Sequence, residues 1–168
     1  MKISIIAAVA ENGAIGYKEN LIYKIPRDLQ RFKSLTLGHP VIMGRTTWES
    51  LPSSGLSGRK NIILTHHPDY QVNISSKNEV ICATSLEEAI KLCEGEEEVF
   101  IIGGANVYKQ AIPIANKLYL TLIHDSPIAG KADTFFPIEW INKFYNHQIK
   151  RTDWYENDVR FSFIDYEV

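Results

Sequence analysis

A chain of 168 residues suits one domain with a real hydrophobic core. Its apolar (45%) and charged (23%) fractions are those of a soluble globular protein and exclude a disordered or fibrous one. The formal net charge of −2 gives no footing for nucleic acid or an anionic membrane, and no run nears the ~18 apolar residues of a membrane span.

Ile3–Ala10 is apolar almost throughout and reads as a strand covered on both faces. After Lys2 it imitates a secretory signal, but such signals need roughly 15–30 residues. A cytoplasmic protein is expected, in which the sequon Asn73-Ile74-Ser75 stays unmodified. Glu11–Gly16 turns away, and an irregular loop is expected up to Ile25.

Pro26 suits the first position of a helix that should end near Gly38. Ile25, Leu29 and Phe32 recur at core spacing, and Asp28 falls on their face. Arg27, Arg31 and Lys33 are assigned to the solvated side. A carboxylate among apolar side chains is costly unless paired or protonated. Desolvation raises its pKa, which suits an acid handling protons near neutrality. A role confined to the helix dipole fits the spacing equally well.

Val41–Met43 reads as a buried strand running into a helix at Gly44-Arg45-Thr46-Thr47, and Asn61–Thr65 and Val80–Ala83 as further strands. Ser85 and Glu88 form a capping-box pattern for a helix to about Cys93, and Glu94–Glu98 reads as a solvated acidic turn. Val99–Ile102 is a strand followed by Gly103-Gly104-Ala105-Asn106 and a helix from Val107. Lys117–Ile123, Tyr145–Trp154 and Arg160–Val168 complete the strands, the last two joined at Glu156-Asn157-Asp158. Cys82 and Cys93 read as reduced core residues, and no histidine or cysteine spacing suits a metal.

Strands alternating with helices imply a mainly parallel sheet whose ligands sit outside the strand carboxyl ends, near Ala8, Gly44, Thr65 and Gly103. Two of these ends carry glycine and then a helix, where unpaired N–H groups favour phosphate. Tight packing explains one such glycine about as well; two point to a dinucleotide. Neither a Walker lysine loop nor G-x-G-x-x-G is present, which argues against nucleotide hydrolysis.

Ile15-Gly16 with Ile25-Pro26-x-Asp28-Leu29-x-x-Phe32-Lys33, and Pro40-Val41-Ile42-Met43-Gly44-Arg45-x-Thr47-Trp48-Glu49-Ser50, resemble signatures of the dihydrofolate reductase family. Gly58–Leu64, Ile102-Gly103-Gly104 with Tyr108, Leu118–Thr121 and Asp133-Thr134-x-Phe136-Pro137 follow in family order. The resemblance implies an α/β fold: one domain over residues 1–168, a mainly parallel central sheet with flanking helices, and an antiparallel C-terminal hairpin. It also implies reduction of 7,8-dihydrofolate by NADPH, sensitivity to antifolate inhibitors, and no nucleic-acid or membrane partner; a monomer is expected.

By that resemblance Asp28 holds the pterin and favours its N5 protonation, supported by Thr121. Ile6, Ala8, Leu21, Leu29, Phe32, Leu51, Leu56, Ile102 and Tyr108 line the substrate slot, and Arg59 clamps the α-carboxylate of the glutamate tail. The nicotinamide is assigned to Ala8, Ile15, Gly16 and Tyr108, the pyrophosphate to Arg45-Thr46-Thr47 and Gly103, Gly104, Ala105, Asn106 and Val107. The 2′-phosphate falls to Arg45, Thr65 and His66, with Asn20, Gly44 and Leu64 completing the set. Where relatives commonly carry Pro-Trp, this chain has Ile22-Tyr23; the Tyr23 hydroxyl is expected to fix a water near Asp28, with plain packing as the alternative. The competing functions are a reductase of the riboflavin-biosynthesis type, which shares the fold and cofactor, and a non-enzymatic nucleotide-binding module.

Overall fold

The computed structural model describes residues 1–17, 20–21, 25–51, 55–67, 78–125 and 132–168, with backbone alone at Tyr17, Asn20 and Leu21. The chain opens with β1 (Lys2–Ala10), followed by the short β2 (Ala14–Tyr17) and β3 (Asn20–Leu21). Helix α1 (Pro26–Thr36) leads to β4 (Val41–Gly44), α2 (Arg45–Ser50), β5 (Asn61–Leu64) and β6 (Val80–Ala83). Then come α3 (Leu86–Lys91), β7 (Glu98–Ile101), α4 (Ala105–Ala111) and β8 (Lys117–Ile123). The chain closes with β9 (Thr134–Phe135), α5 (Trp140–Phe144), β10 (Gln148–Glu156) and β11 (Val159–Glu167).

Among the described residues eight strands form one sheet in the order β10-β11-β8-β1-β7-β4-β5-β6. Pairing is parallel from β8 to β6, and β11 joins β8 and β10 antiparallel. This is the expected architecture, with the hairpin at one edge. Its turn is Asn157-Asp158, both with positive φ (53° and 63°), the twist that suits a two-residue hairpin loop.

Strand alternation divides the core between the two faces of the sheet. Ile5, Ala7, Val9 and Ile42 pack with Ala89, Val107, Ala111 and Phe144 of α3, α4 and α5. Ile6, Val41 and Met43 face the other way, onto Phe32 and Leu35 of α1 and Trp48 of α2. Strand β1, flanked in parallel by β7 and β8, thus buries apolar side chains in both layers.

Helix α1 corrects the expected helical face. Ile25 is its N-cap, in an extended conformation (φ −111°, ψ 113°), so it does not set the helical phase. The inward stripe runs through Asp28, Arg31, Phe32, Leu35 and Thr36, while Leu29 is 48% exposed. Arg31 therefore lies toward the sheet, bound to Asp165 of β11, and Arg27 packs on Trp154 of β10. Neither is merely solvated.

Other boundaries differ for identifiable reasons. The segment expected as an irregular loop carries β2 and β3, which pair with each other and, through β2, with β9. Tyr145 follows α5, so the hairpin strand begins only at Gln148. Glu98 belongs to β7 and not to the acidic turn, its carboxylate accepting from Ser4 Oγ and the Tyr119 hydroxyl. The Ser85 hydroxyl caps α3 by accepting from Glu88 N–H, but the Glu88 carboxylate turns to Thr84. The helix stops at Lys91, short of Cys93. Both cysteines are free; Cys93 is buried, which pushes its thiol up to about 11.

Candidate active site

A cavity of about 640 Å³ opens at the carboxyl ends of β1, β4, β5 and β7, within the volume range of small-molecule sites. Two strand-to-helix turns wall it. Gly44 leads β4 into α2 and Gly104 leads into α4, and the Gly44 N–H donates to Gly103 O at 2.8 Å, locking the turns together. First-turn amides of Arg45–Thr47 and Ala105–Val107 have no intrahelical acceptor. Gly103 has φ +117°, and a Cβ there would stand 3.2 Å from the Tyr108 ring, so glycine is required.

The expected cofactor residues converge on this cavity. Ala8, Ile15, Gly16, Gly44, Arg45, Thr46, Thr47, Leu64, Thr65, His66, Gly103, Gly104, Ala105, Asn106, Val107 and Tyr108 all line it. Arg45 Nε holds Glu49 Oε1 at 2.9 Å, one turn along α2. Thr65 is buried, its N–H bonded to Ala83 O and its hydroxyl accepting from His67 N–H. The Asn20 side chain lies outside the described residues.

Asp28 stands behind one end of this space. The Thr121 hydroxyl donates to Asp28 Oδ1 at 2.5 Å, and Thr121 is paired across the sheet with Ala8, which lines the cavity. Burial raises the Asp28 carboxyl above its ordinary value, while the Thr121 hydrogen bond and the Arg31 charge pull it back. The Tyr108 hydroxyl is buried and bonded to Ile6 O (2.8 Å) and Ile102 O (3.0 Å). Burial raises that phenol strongly, with the Asp28 charge adding to it. Tyr108 therefore acts as a neutral brace between β1 and the Gly103 turn.

Of the expected substrate residues, Ile6, Phe32, Leu51, Leu56 and Ile102 meet in one apolar cluster beside Asp28's helix. Leu29 is not part of that cluster and stays on the open side of α1. Arg59 is 8% exposed, donating from Nε to Ser57 O (2.9 Å) and from Nη1 to Thr36 Oγ1 (3.1 Å). No carboxylate among the described residues pairs with it. Tyr23 and the Leu21 side chain lie outside the described residues.

Comparison with known proteins decides what this arrangement is. Residues 2–168 match the sequence model of the family described as dihydrofolate reductase. The chain belongs to the dihydrofolate reductase family. It is 42% identical over 168 residues to the dihydrofolate reductase of Neisseria meningitidis serogroup B, covering 99% of this chain and 98% of that one. It is 46% identical over 138 residues to a type 3 dihydrofolate reductase of Salmonella typhimurium, covering 82% and 79% of the two chains. Among solved structures, the fold matches a dihydrofolate reductase from Enterococcus faecalis complexed with NADP(H) and RAB-propyl. There the TM-score is 0.84 at 29% identity, over 99% of this chain and 95% of that one.

As a dihydrofolate reductase, the protein reduces 7,8-dihydrofolate to tetrahydrofolate with NADPH, and it binds small molecules. Several cavity residues escaped the sequence reading. Ser50, His67, Thr84, Ser85, Leu86, Gln110 and Thr134 also line it. Thr84–Leu86 carried only a helix-cap signal, and Thr134 arrives through the β2–β9 pairing, which no local pattern announces. Among the described residues no helix is long and apolar enough to cross a membrane.

Proposed function

We propose that Asp28 is the residue on which this reduction turns: it holds the pterin ring and supports protonation at N5, next to the carbon that accepts hydride. The observation that carries this is the carboxyl's burial on the helix that packs against an apolar cluster, with one hydroxyl partner and a raised proton affinity. A carboxyl so placed holds a proton more firmly than a solvated one, which suits a group that handles the substrate's proton. Thr121 fixes its orientation. The apolar side chains of Ile6, Phe32, Leu51, Leu56 and Ile102 suit the flat faces of a bicyclic ring.

Arg59 is joined to α1 through Thr36, eight residues from Asp28, or about 12 Å of helix rise. An acid at one end and, among the described residues, an arginine without a carboxylate partner at the other suit an extended molecule with a ring and a carboxylate tail. A planar guanidinium meets a carboxylate bidentately.

The cavity fits a dinucleotide: its glycine turns let backbone approach closely, and its donor set is amides, hydroxyls and Arg45. When bound, NADPH supplies the hydride. Arg45–Thr47 and Gly103–Val107 would hold its pyrophosphate, and Arg45, Thr65 and His66 its 2′-phosphate. Ala8, Ile15, Gly16 and Tyr108 would bound the nicotinamide end, and the segment from Asn12 to Lys24, part of which lies outside the described residues, would close over it and exclude water. Tyr23, outside the described residues, would fix a water through its hydroxyl. The protein works as a monomer in the cytoplasm, without nucleic-acid or membrane partners.

The test follows NADPH absorbance after adding dihydrofolate to wild type and to Asp28→Asn at neutral pH. Wild type consumes NADPH, and the variant binds it but turns over about 10²–10⁴-fold more slowly, the typical cost of losing a positioned acid or base. The defect shrinks as pH falls, because solvent then supplies the proton. Near-normal turnover by the variant at neutral pH would remove Asp28 from the chemistry.

A further inference from the structure

Arg31 follows Asp28 by three residues on α1, so the two side chains leave the same stripe of the helix. Arg31 Nη2 meets Asp165 Oδ1 at 2.5 Å, with side-chain exposures of only 16% and 15%. Its guanidinium carbon lies 4.4 Å from the centre of the Phe163 ring and 5.8 Å from that of Tyr119. The register of β8 and β11 ties this pair to the pocket acid. Thr121 is paired with Phe163 and Tyr119 with Asp165, two residues apart on each strand. Asp28 is bonded to Thr121, so the helix rests its carboxylate and its guanidinium on neighbouring rungs of one ladder.

Among the described residues, the remaining charged and titratable groups facing this corner are otherwise engaged. Arg27 of α1 is bound to Glu156 and stacked on Trp154 of β10. Lys117 of β8 lies over the Tyr119 ring, whose hydroxyl donates to Glu98 of β7. Tyr108 of α4 gives its proton to backbone carbonyls. Arg31 is the cation whose charge acts on Asp28, and its Nη1 is buried without a hydrogen-bond partner among the described residues. A buried ion pair with an unmet donor is weak evidence for a purely stabilising role.

We propose that Arg31, held by Asp165, is a positioning residue for hydride transfer: its charge sets how firmly the Asp28 carboxyl keeps its proton, and Asp165 sets how much of that charge Asp28 feels. The inference rests on the role of Asp28 given above and deepens it. Breaking the pair from its two ends then has opposite consequences. Arg31→Met removes the cation and leaves an unpaired anion nearby, so Asp28 holds its proton to higher pH. Asp165→Asn removes that anion and leaves the cation unopposed, so Asp28 releases its proton at lower pH. A pair that merely stabilised α1 against β11 has no such asymmetry.

The experiment measures single-turnover hydride transfer from about pH 5 to 9, the span in which an acid–base profile is read, for wild type, Arg31→Met, Arg31→Lys, Asp165→Asn and Asp28→Asn. On the alkaline limb, where rate falls with pH, Arg31→Met is several-fold faster than wild type and Asp165→Asn several-fold slower. Arg31→Lys restores the wild-type profile. If Arg31→Met does not fold, the downward shift in Asp165→Asn and the restored profile in Arg31→Lys still decide. Profiles that move in the same direction, or that stay in place while both variants lose melting temperature, overturn the inference and leave a structural pair. A wild-type rate for Asp28→Asn at neutral pH overturns the assignment of the acid instead. A slow Asp28→Asn with unmoved Arg31→Met and Asp165→Asn profiles overturns this inference alone.

Discussion

The cavity between α2 and α4 is walled largely by backbone, with two glycine turns, first-turn amides and short hydroxyl side chains sharing the work. The Asp28 end is built from single side chains delivered by distant strands: Thr121 from β8, and Asp165 and Phe163 from β11. The contrast has a physical reason. Phosphate is recognised by many modest donors, each replaceable, whereas moving one proton needs one group with the right proton affinity. Substitutions on the two sides should therefore differ in kind. On the cofactor side they weaken binding by steps; on the acid side they move rate and pH dependence.

Arg45 probes this contrast most strongly, because it is the charged exception in a wall of amides and hydroxyls. Arg45→Ala weakens NADPH by about 1.5–3 kcal/mol, the worth of a charge-assisted bond, or roughly 10–150-fold in Kd. NADH, which lacks the 2′-phosphate, is affected much less. Equal losses in a titration of both cofactors would place Arg45 on the pyrophosphate and leave the 2′-phosphate to Thr65 and His66.

Gly104→Ala sharpens the comparison at smaller amplitude. A Cβ at Gly104 meets Thr47 Oγ1 at 3.7 Å, an ordinary contact, and no positive φ opposes it. The free protein still folds, read as a cooperative melting transition. NADPH binding falls by up to about tenfold, because the added Cβ holds the pyrophosphate off the turn's amides and one such hydrogen bond is worth about 0.5–1.5 kcal/mol. A variant of lower stability with intact NADPH affinity would make Gly104 a packing glycine instead.

The two halves also differed in how far the sequence disclosed them. Glycine at a strand end before a helix is a local signal, so Gly44 and Gly103-Gly104 were visible within a few residues. Asp28 is legible as an acid close to apolar spacing, but the spacing counted from Ile25 gives the wrong phase, because Ile25 is an extended cap. That error placed Leu29 inward and Arg31 outward, the reverse of what forms. Arg31 finds Asp165, 134 residues along the chain, and Thr134 reaches the cavity through pairing with Gly16. Such partners depend on the strand order β11-β8-β1 and on the small β3-β2-β9 sheet, which no window of sequence contains. The parallel sheet and edge hairpin were legible because buried runs, helix caps and the Asn157-Asp158 turn are each local.

Direct titration of the Asp28 carboxyl in the free protein, by carbon NMR with Asp28→Asn to assign the signal, tests the central claim. Burial outweighs the Thr121 hydrogen bond and the Arg31 charge, so the carboxyl titrates above the ordinary aspartate value of 3.8. A midpoint at or below 3.8 would mean that burial does not outweigh the hydrogen bond and the charge, and would remove the raised proton affinity on which the proposed role of Asp28 rests.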